Sequence, residues 1–384
     1  METATGKEGL EVAPTLYFDH RMTNRIKGIA IIMMMILHFF TVPQWYLSGI
    51  SYPELSTFAK LYYQPFELCV PVFACLTGLF CGIRPSCDFR YAFRKITDLL
   101  IGYWLIYLLI IIVVLVLGTH TFTFTGILLE MIGYRRPIMM FCWYVFFYMC
   151  SMLVIALLDK LPKNSPLLSV MAYIILPTLV STMLQFWCRH GDGYFLELND
   201  NFRTIFMTMG MGYIISRYDL FHRFFDRILK DNFRYWWIRI PLWCALLYVA
   251  FIGRFYIGEI SIAFLNMQGE IVPFTIRLDI IYAPLFIYCL VNLFECIPAR
   301  QILLFPLEEL GRVSMEIWFI HCIFFAEATK KVFMPILYWP GHPVLVTLWG
   351  LALCFAVAWI LDWPIRFLIR QKNKLFLDTT VKSV

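Results

Sequence analysis

The chain has 384 residues, of which 61% are hydrophobic and only 15% are charged. Soluble domains carry about 25% charged residues, so this composition excludes a water-soluble globular protein. The net charge of +6 fits the basic loops of a membrane protein and does not indicate nucleic-acid binding.

Apolar segments of about 20 residues, the length that crosses a membrane as a helix, recur along the whole chain. Ten such segments lie at roughly 27–47, 62–83, 98–118, 137–158, 167–188, 202–217, 236–254, 271–294, 313–337 and 344–365. The segment 255–270 is ambiguous between a re-entrant and an interfacial piece. The sequence therefore predicts an all-α integral membrane protein with about ten transmembrane helices.

Basic residues concentrate in alternate connections, as the positive-inside rule requires of cytoplasmic loops. The rule predicts that the N- and C-termini are both cytoplasmic, although a few basic residues, such as Arg135 and Arg136, fall on the other side. No internal repeat or long linker divides the chain. We expect a polar N-terminal tail (1–20), one membrane domain (21–370) and a cytoplasmic C-terminal tail (371–384).

The 12 cysteines fall mostly inside apolar segments, which indicates packing residues. None forms a CxxC pair, and no Cys/His cluster has the spacing of zinc ligands. We therefore expect neither a metal site nor a bound cofactor.

The first predicted span carries Lys27 near one end and His38 deep inside. Eleven residues separate them, about three helical turns, which places them on nearly the same face about 16 Å apart. Ionisable groups in hydrocarbon are costly and mark candidate sites. The alternative is a histidine hydrogen-bonded to a neighbouring helix and a lysine that reaches the lipid headgroups.

Two other predicted spans hold groups that could act with His38. Glu67 lies at a similar depth in the second span, where its carboxylate could orient the imidazole. Alternatively, Glu67 is an interfacial residue in contact with water. In the ninth span, Ser314 and His321 are seven residues apart and share a helix face. His321 is either a second proton-handling group or a packing histidine.

Four charged residues lie at the start of the eighth predicted span. Arg277 and Asp279 open the span, and Arg254 and Glu259 come just before it. They are equally compatible with an ion-pair network at the membrane surface and with a substrate site.

Five stretches of the chain, in order, resemble the acyltransferase family 3 membrane proteins, which O-acetylate envelope carbohydrates. The first stretch resembles the family's basic-x10-His element, the second its VPxFFxxSGF element and the third its basic loop. The fourth resembles the family's aromatic element, and the fifth its G-x-x-S-x-x-x-Y-x-x-H element. The stretches are IKGIAIIMMMILH (26–38), VPVFACLTGLF (70–80), FRKITDLLIGYWL (93–105), FCWYVFFY (141–148) and LGRVSMEIWFIH (310–321).

The resemblance implies roles for particular residues. His38 matches the family's essential histidine, which handles the proton of the acceptor, with Glu67 and His321 as its expected catalytic partners. Lys27 matches the family's basic partner, usually Arg, and offers a point charge instead of a planar fork. Arg25, Arg94 and Lys95 are expected to bind the donor's phosphates with it, although Arg94 does not keep the family's RxxR spacing. We assign Trp143, Ser314 and Arg277 to the substrate.

The expected reaction uses acetyl-CoA or another acyl-CoA as co-substrate and a carbohydrate acceptor, in the cell (plasma or inner) membrane. His38 is either the general base or a transient acyl carrier. A secondary transporter or a lipid-linked sugar flippase would also show about ten spans with cavity-facing His and Glu. Consumption of the thioester donor distinguishes the enzyme from both. A purely structural scaffold would give no reason for the similar depth of His38 and Glu67.

Overall fold

The computed structural model describes residues 19–46, 64–161, 165–187, 192–230, 235–265 and 271–381. Residues 1–18 of the predicted N-terminal tail and 382–384 of the predicted C-terminal tail lie outside the described residues. Within the described ranges, seven helices are long and apolar enough to cross a membrane, and Trp143–Leu158 and Ser314–Phe325 are shorter apolar helices. A predominantly helical, multi-pass membrane protein is confirmed.

Among the described residues, the first part of the chain forms nine α-helices. A 3₁₀ turn, Gln64–Leu68, precedes the second, and a π-helical stretch, Met171–Ile175, joins the sixth to the seventh. The helices are α1 His20–Tyr46, α2 Cys69–Ile83, α3 Phe89–Leu117, α4 Phe124–Met131, α5 Trp143–Leu158, α6 Pro166–Val170, α7 Leu176–Trp187, α8 Gly193–Thr204 and α9 Phe206–Arg217.

The rest of the chain begins with a π-helical segment, Phe221–Lys230, and includes a 3₁₀ segment, His321–Phe324. The other elements are α10 Trp236–Tyr256, β1 Glu259–Leu265, β2 Ile271–Arg277, α11 Asp279–Cys296, α12 Arg300–Leu303, α13 Phe305–Arg312, α14 Ser314–Ile320, α15 Lys330–Tyr338 and α16 Pro343–Val381.

Several predicted spans have other boundaries. The segment 202–217 is divided between α8 and α9, and 313–337 is divided between the apolar helix Ser314–Phe325, whose last turn is 3₁₀, and α15. Residues 271–277, expected at the start of the eighth span, form β2, which pairs antiparallel with β1 from Glu259↔Arg277 to Leu265↔Ile271. The physical reason is the β-branched content of IVPFTIR, which favours a strand over a helix. The predicted C-terminal tail continues α16 as far as Val381.

The segment 137–158 becomes helical only from Trp143, because the chain before it is held by a buried carboxylate. Glu130, at the end of α4, accepts hydrogen bonds from the backbone N–H groups of Ile138 and Met139, each at 2.8 Å. The Tyr107 hydroxyl of α3 donates to the same carboxylate at 3.0 Å. This loop therefore has a fixed conformation as it enters the core.

Two helix crossings bring backbones into contact through glycines. Gly78 of α2 and Gly212 of α9 face each other's helices, and a Cβ at Gly78 would lie 1.9 Å from the Met209 carbonyl oxygen. Gly28 of α1 and Gly311 of α13 likewise face each other's helices, and a Cβ at Gly311 would lie 1.7 Å from the Asn24 carbonyl oxygen. Small residues permit this close approach in membrane helices, where packing replaces the hydrophobic driving force.

We predict that Gly78→Val destabilises the protein by about 1–3 kcal/mol, because the added side chain overlaps the α9 backbone. The measurement is thermal unfolding of the detergent-solubilised protein, followed by tryptophan fluorescence. Gly193→Ala is the matched control: its Cβ meets nothing within 4 Å, so its effect should stay within about 0.5 kcal/mol. Equal melting temperatures for Gly78→Val and wild type would contradict this packing.

Candidate active site

A cavity of about 560 Å³ opens between one face each of α1, α2, α3, α5, α14 and α16. The lining residues repeat at helical spacing: α1 contributes His20, Thr23, Asn24 and Lys27, and α5 contributes Tyr144, Tyr148 and Met152. On α2 the lining extends from Phe73 to Cys81, and Arg84 follows the helix end. The eleven residues from Phe73 to Arg84 correspond to about 16 Å along a helix axis, so the cavity is long enough for an extended ligand.

Cations line one end of this cavity. The Arg84 guanidinium lies 4.3 Å from the centroid of the Tyr91 ring, and the Lys95 ammonium lies 6.0 Å from the same ring. Lys27 lines the same cavity from α1, and Asp98 and Glu316 are its carboxylates. Asp98 is already paired with Lys372. The cationic end therefore carries an excess of positive charge.

Bulky side chains close the opposite end. Phe73, Tyr144 and Phe319 line it from α2, α5 and α14. Behind them lies Trp318, whose ring centroid is 5.6 Å from that of Phe73 and 5.1 Å from that of Tyr144. We call these four residues the aromatic floor.

A histidine pair lies on the far side of the aromatic floor. The Nδ1 atom of His38 lies 2.7 Å from the Nε2 atom of His321, and the two rings are within 15° of parallel. Phe141 stacks on His38 at 4.2 Å between centroids. The indole N–H of Trp318 donates to the Phe141 carbonyl oxygen at 3.0 Å, which ties the aromatic floor to the histidine pair.

The direction of these hydrogen bonds follows from one backbone carbonyl. The Trp318 carbonyl oxygen lies in hydrogen-bond contact with Nδ1 of His321, and a carbonyl can only accept, so Nδ1 carries the proton. In a neutral ring Nε2 of His321 is then an acceptor, and His38 must donate to it from Nδ1. In a neutral His38 ring the remaining nitrogen, Nε2, is then unprotonated and carries a lone pair. The pair therefore presents a base.

The prediction that Glu67 is a catalytic partner of His38 is wrong. The Glu67 carboxylate does not orient the imidazole; it pairs with Arg254 at 3.0 Å, and the same guanidinium binds Asp279 at 3.1 Å. For Arg254 and Asp279 the structure supports the ion-pair network, which Glu67 also joins. The physical reason is that equal depth does not place two side chains on facing surfaces, and Arg254 supplies the charge that a carboxylate in this position needs.

The predicted phosphate-binding residues divide into two groups. Lys27 and Lys95 line the cavity, whereas Arg25 and Arg94 do not. Arg25 is buried against α13 and pairs with Glu308 at 3.2 Å, because two residues along a helix turn the side chain by about 200° from Lys27. The Arg94 guanidinium is exposed and lies 5.8 Å from the Tyr91 ring centroid.

The three predicted substrate residues lie apart from the cavity. Trp143 packs edge-on against Tyr144 at 5.9 Å between centroids. Ser314, the first residue of α14, is buried and does not line the cavity. Arg277 ends β2, opposite Glu259.

Most cavity residues were missing from the sequence-based site, among them Arg84, Tyr144 and Glu316. The sequence position of Arg84 could have identified it, because it follows the second predicted span on the same side as Lys95. Glu316, between Ser314 and His321, was an ionisable residue inside an apolar segment. No feature of the sequence distinguished Tyr144 from the other tyrosines, because the chain has 21 of them.

Comparison with known protein families decides the assignment. The acyltransferase 3 family, described as an acyltransferase domain, matches residues 24–363, nearly the whole chain. The chain belongs to the acyltransferase 3 family. No curated protein and no solved structure gives a significant match. The resemblance noted in the sequence is confirmed, and this acyltransferase 3 member is a multi-pass membrane acyltransferase.

We predict that His321→Ala lowers the acyl-transfer rate of this acyltransferase 3 member by about 10²- to 10⁴-fold, because Nδ1–H of His38 loses the acceptor that fixes its tautomer. His321→Gln keeps an acceptor oxygen and should retain more activity than His321→Ala. The measurement is steady-state acyl transfer by variants of equal thermal stability. His342→Ala, an exposed histidine, is the control. An active His321→Ala would show that the pair has no part in the reaction.

Proposed function

We propose that this protein transfers a short acyl group, acetyl in the first instance, from cytoplasmic acyl-CoA to a hydroxyl group of an envelope carbohydrate at the cell (inner) membrane. The observation that carries the proposal is the placement of the cavity. Its cationic end and its aromatic floor are about 16 Å apart, and the basic nitrogen of the histidine pair lies beyond the floor.

The cationic end fits the phosphates of acyl-CoA. Arg84, Lys95 and Lys27 supply charge for phosphate oxygens, and charge-assisted hydrogen bonds of this kind are about twice as strong as neutral ones. The pantetheine arm would extend along α2 toward Phe73, which places the thioester at the aromatic floor. In this arrangement the basic loops and both chain ends are cytoplasmic, as the positive-inside rule predicts.

The histidine pair fits the chemical step. Nε2 of His38 would accept the proton of the acceptor hydroxyl while the acceptor oxygen attacks the thioester carbonyl carbon. The C–S bond then breaks, and the thiolate of CoA takes the proton back from His38. His321 stabilises the intermediate imidazolium, because it accepts the Nδ1–H of His38 and donates in turn to the Trp318 carbonyl.

The acceptor would meet His38 from the side opposite to the donor. His38 is only half-buried, yet it does not line the donor cavity. A carbohydrate hydroxyl that approaches from the outer side would therefore reach the base without entering the space that acyl-CoA occupies. The aromatic floor is the boundary that the acyl group crosses.

We predict that His38→Ala abolishes acyl transfer, with at least a 100-fold loss, and leaves membrane insertion and expression intact. The measurement is mass spectrometry of envelope glycans from cells that express the variant at the wild-type level. The matched control is His120→Ala, since His120 is exposed and packs edge-on against Phe122. O-acylation by His38→Ala at the wild-type level would refute the proposed base. Wild-type protein that moves a solute but leaves acyl-CoA intact would instead support a transporter.

We predict that Lys27 contributes to donor affinity and not to the chemical step, because it lies about three turns from His38. Lys27→Ala should raise the KM for acetyl-CoA about tenfold with kcat nearly unchanged, since the lost charge stabilises the bound donor and the transition state equally. Lys27→Arg should preserve activity.

The measurement for Lys27 is a donor titration of purified protein with a soluble acceptor analogue. Lys331→Ala, which removes an exposed lysine outside the cavity, is the matched control. A large fall in kcat at saturating donor with an unchanged KM would place Lys27 in the transition state and exclude the phosphate contact.

A further inference from the structure

The hydroxyl of Tyr144 is a buried polar group on the wall of the donor cavity. Tyr144 is 3% exposed, and within the described part of the chain its hydroxyl oxygen makes no hydrogen bond. A buried hydroxyl without a partner costs about 1–3 kcal/mol. Native proteins rarely keep such a group unless a ligand or a water molecule satisfies it.

The position of Tyr144 in the cavity restricts what that ligand can be. It lies beside Trp318 at the aromatic floor, whereas Arg84 follows the opposite end of the stretch of α2 that lines the cavity. The neighbouring Thr77 hydroxyl donates to the Phe73 carbonyl oxygen at 3.0 Å, and it lies near the phenol without forming a hydrogen bond of good geometry to it. The proton of the phenol is thus available to an acceptor oxygen of the ligand.

The ring of Tyr144 is held firmly, so its hydroxyl has a defined direction. Its centroid lies 5.1 Å from Trp318, 5.5 Å from Phe147 and 5.9 Å from Trp143. Trp318 is in turn fixed by its bond to the Phe141 carbonyl. A donor that is fixed before the ligand arrives needs no reorganisation when negative charge develops, which is the condition for effective electrostatic catalysis.

We infer that Tyr144 donates its hydroxyl proton, as a hydrogen bond, to the thioester carbonyl oxygen of the bound acyl-CoA. The inference deepens the proposed function and rests on it. As the acceptor oxygen attacks, the carbonyl oxygen gains negative charge, and the bond to Tyr144 shortens without transfer of its proton. When the C–S bond breaks, the carbonyl re-forms and the bond returns to its initial strength.

Tyr144→Phe removes only the hydroxyl, and since that group has no partner among the described residues the variant should be at least as thermally stable as the wild type. We expect kcat to fall about 100-fold, the loss seen when one oxyanion donor is removed. Tyr173→Phe is the matched control, because it removes a buried hydroxyl that also lacks a partner in the described residues but lies outside the cavity. Its kcat should equal that of the wild type.

The deciding experiment compares acetyl-CoA with S-ethyl-CoA, in which a methylene group replaces the carbonyl. Wild-type protein should bind acetyl-CoA about fivefold more tightly than S-ethyl-CoA, because one hydrogen bond contributes about that much to affinity. The Tyr144→Phe variant should bind the two compounds equally. If wild-type protein binds neither compound, the proposed function itself fails. If it binds both and Tyr144→Phe keeps the wild-type preference and kcat, the role of Tyr144 alone is overturned.

Discussion

The hydrogen bond between the Trp318 carbonyl oxygen and Nδ1 of His321 is the interaction on which the site depends. It forms where α14 ends at Ile320 and the chain tightens into a 3₁₀ turn. His321 lies three residues after Trp318 and donates from Nδ1 to this carbonyl oxygen, so its tautomer is fixed. The direction of the bond to His38 follows from this single constraint.

The frame that holds this arrangement is built from close helix contacts. The α2–α9 and α1–α13 crossings are both backbone-to-backbone, with Gly78, Gly212, Gly28 and Gly311 at the contacts. Lys27 lies one residue before Gly28 on α1, and Thr77 one residue before Gly78 on α2. The glycine faces are therefore occupied by neighbouring helices, which leaves the adjacent faces of α1 and α2 to form the cavity wall.

Much of this architecture could be predicted from the sequence, and the failures have physical causes. Depth along a helix is readable from residue number, so Lys27 and His38 were correctly separated by three turns. Facing partners are not readable: Arg254, far from Glu67 in sequence, takes the carboxylate that depth alone assigned to His38. His321 was singled out, yet its contact with His38, 283 residues away in sequence, is a tertiary contact that periodicity does not reveal.

The aromatic floor also has a consequence for the energetics of the membrane. If the cavity on one side of the floor and the histidine pair on the other were joined by water, protons would cross and dissipate the transmembrane potential, to which each charge that crosses contributes about 2.3 kcal/mol per 100 mV. Trp318, packed between Phe73 and Tyr144 and hydrogen-bonded to the Phe141 carbonyl, places its indole ring between the two. The indole ring thus also serves as electrical insulation.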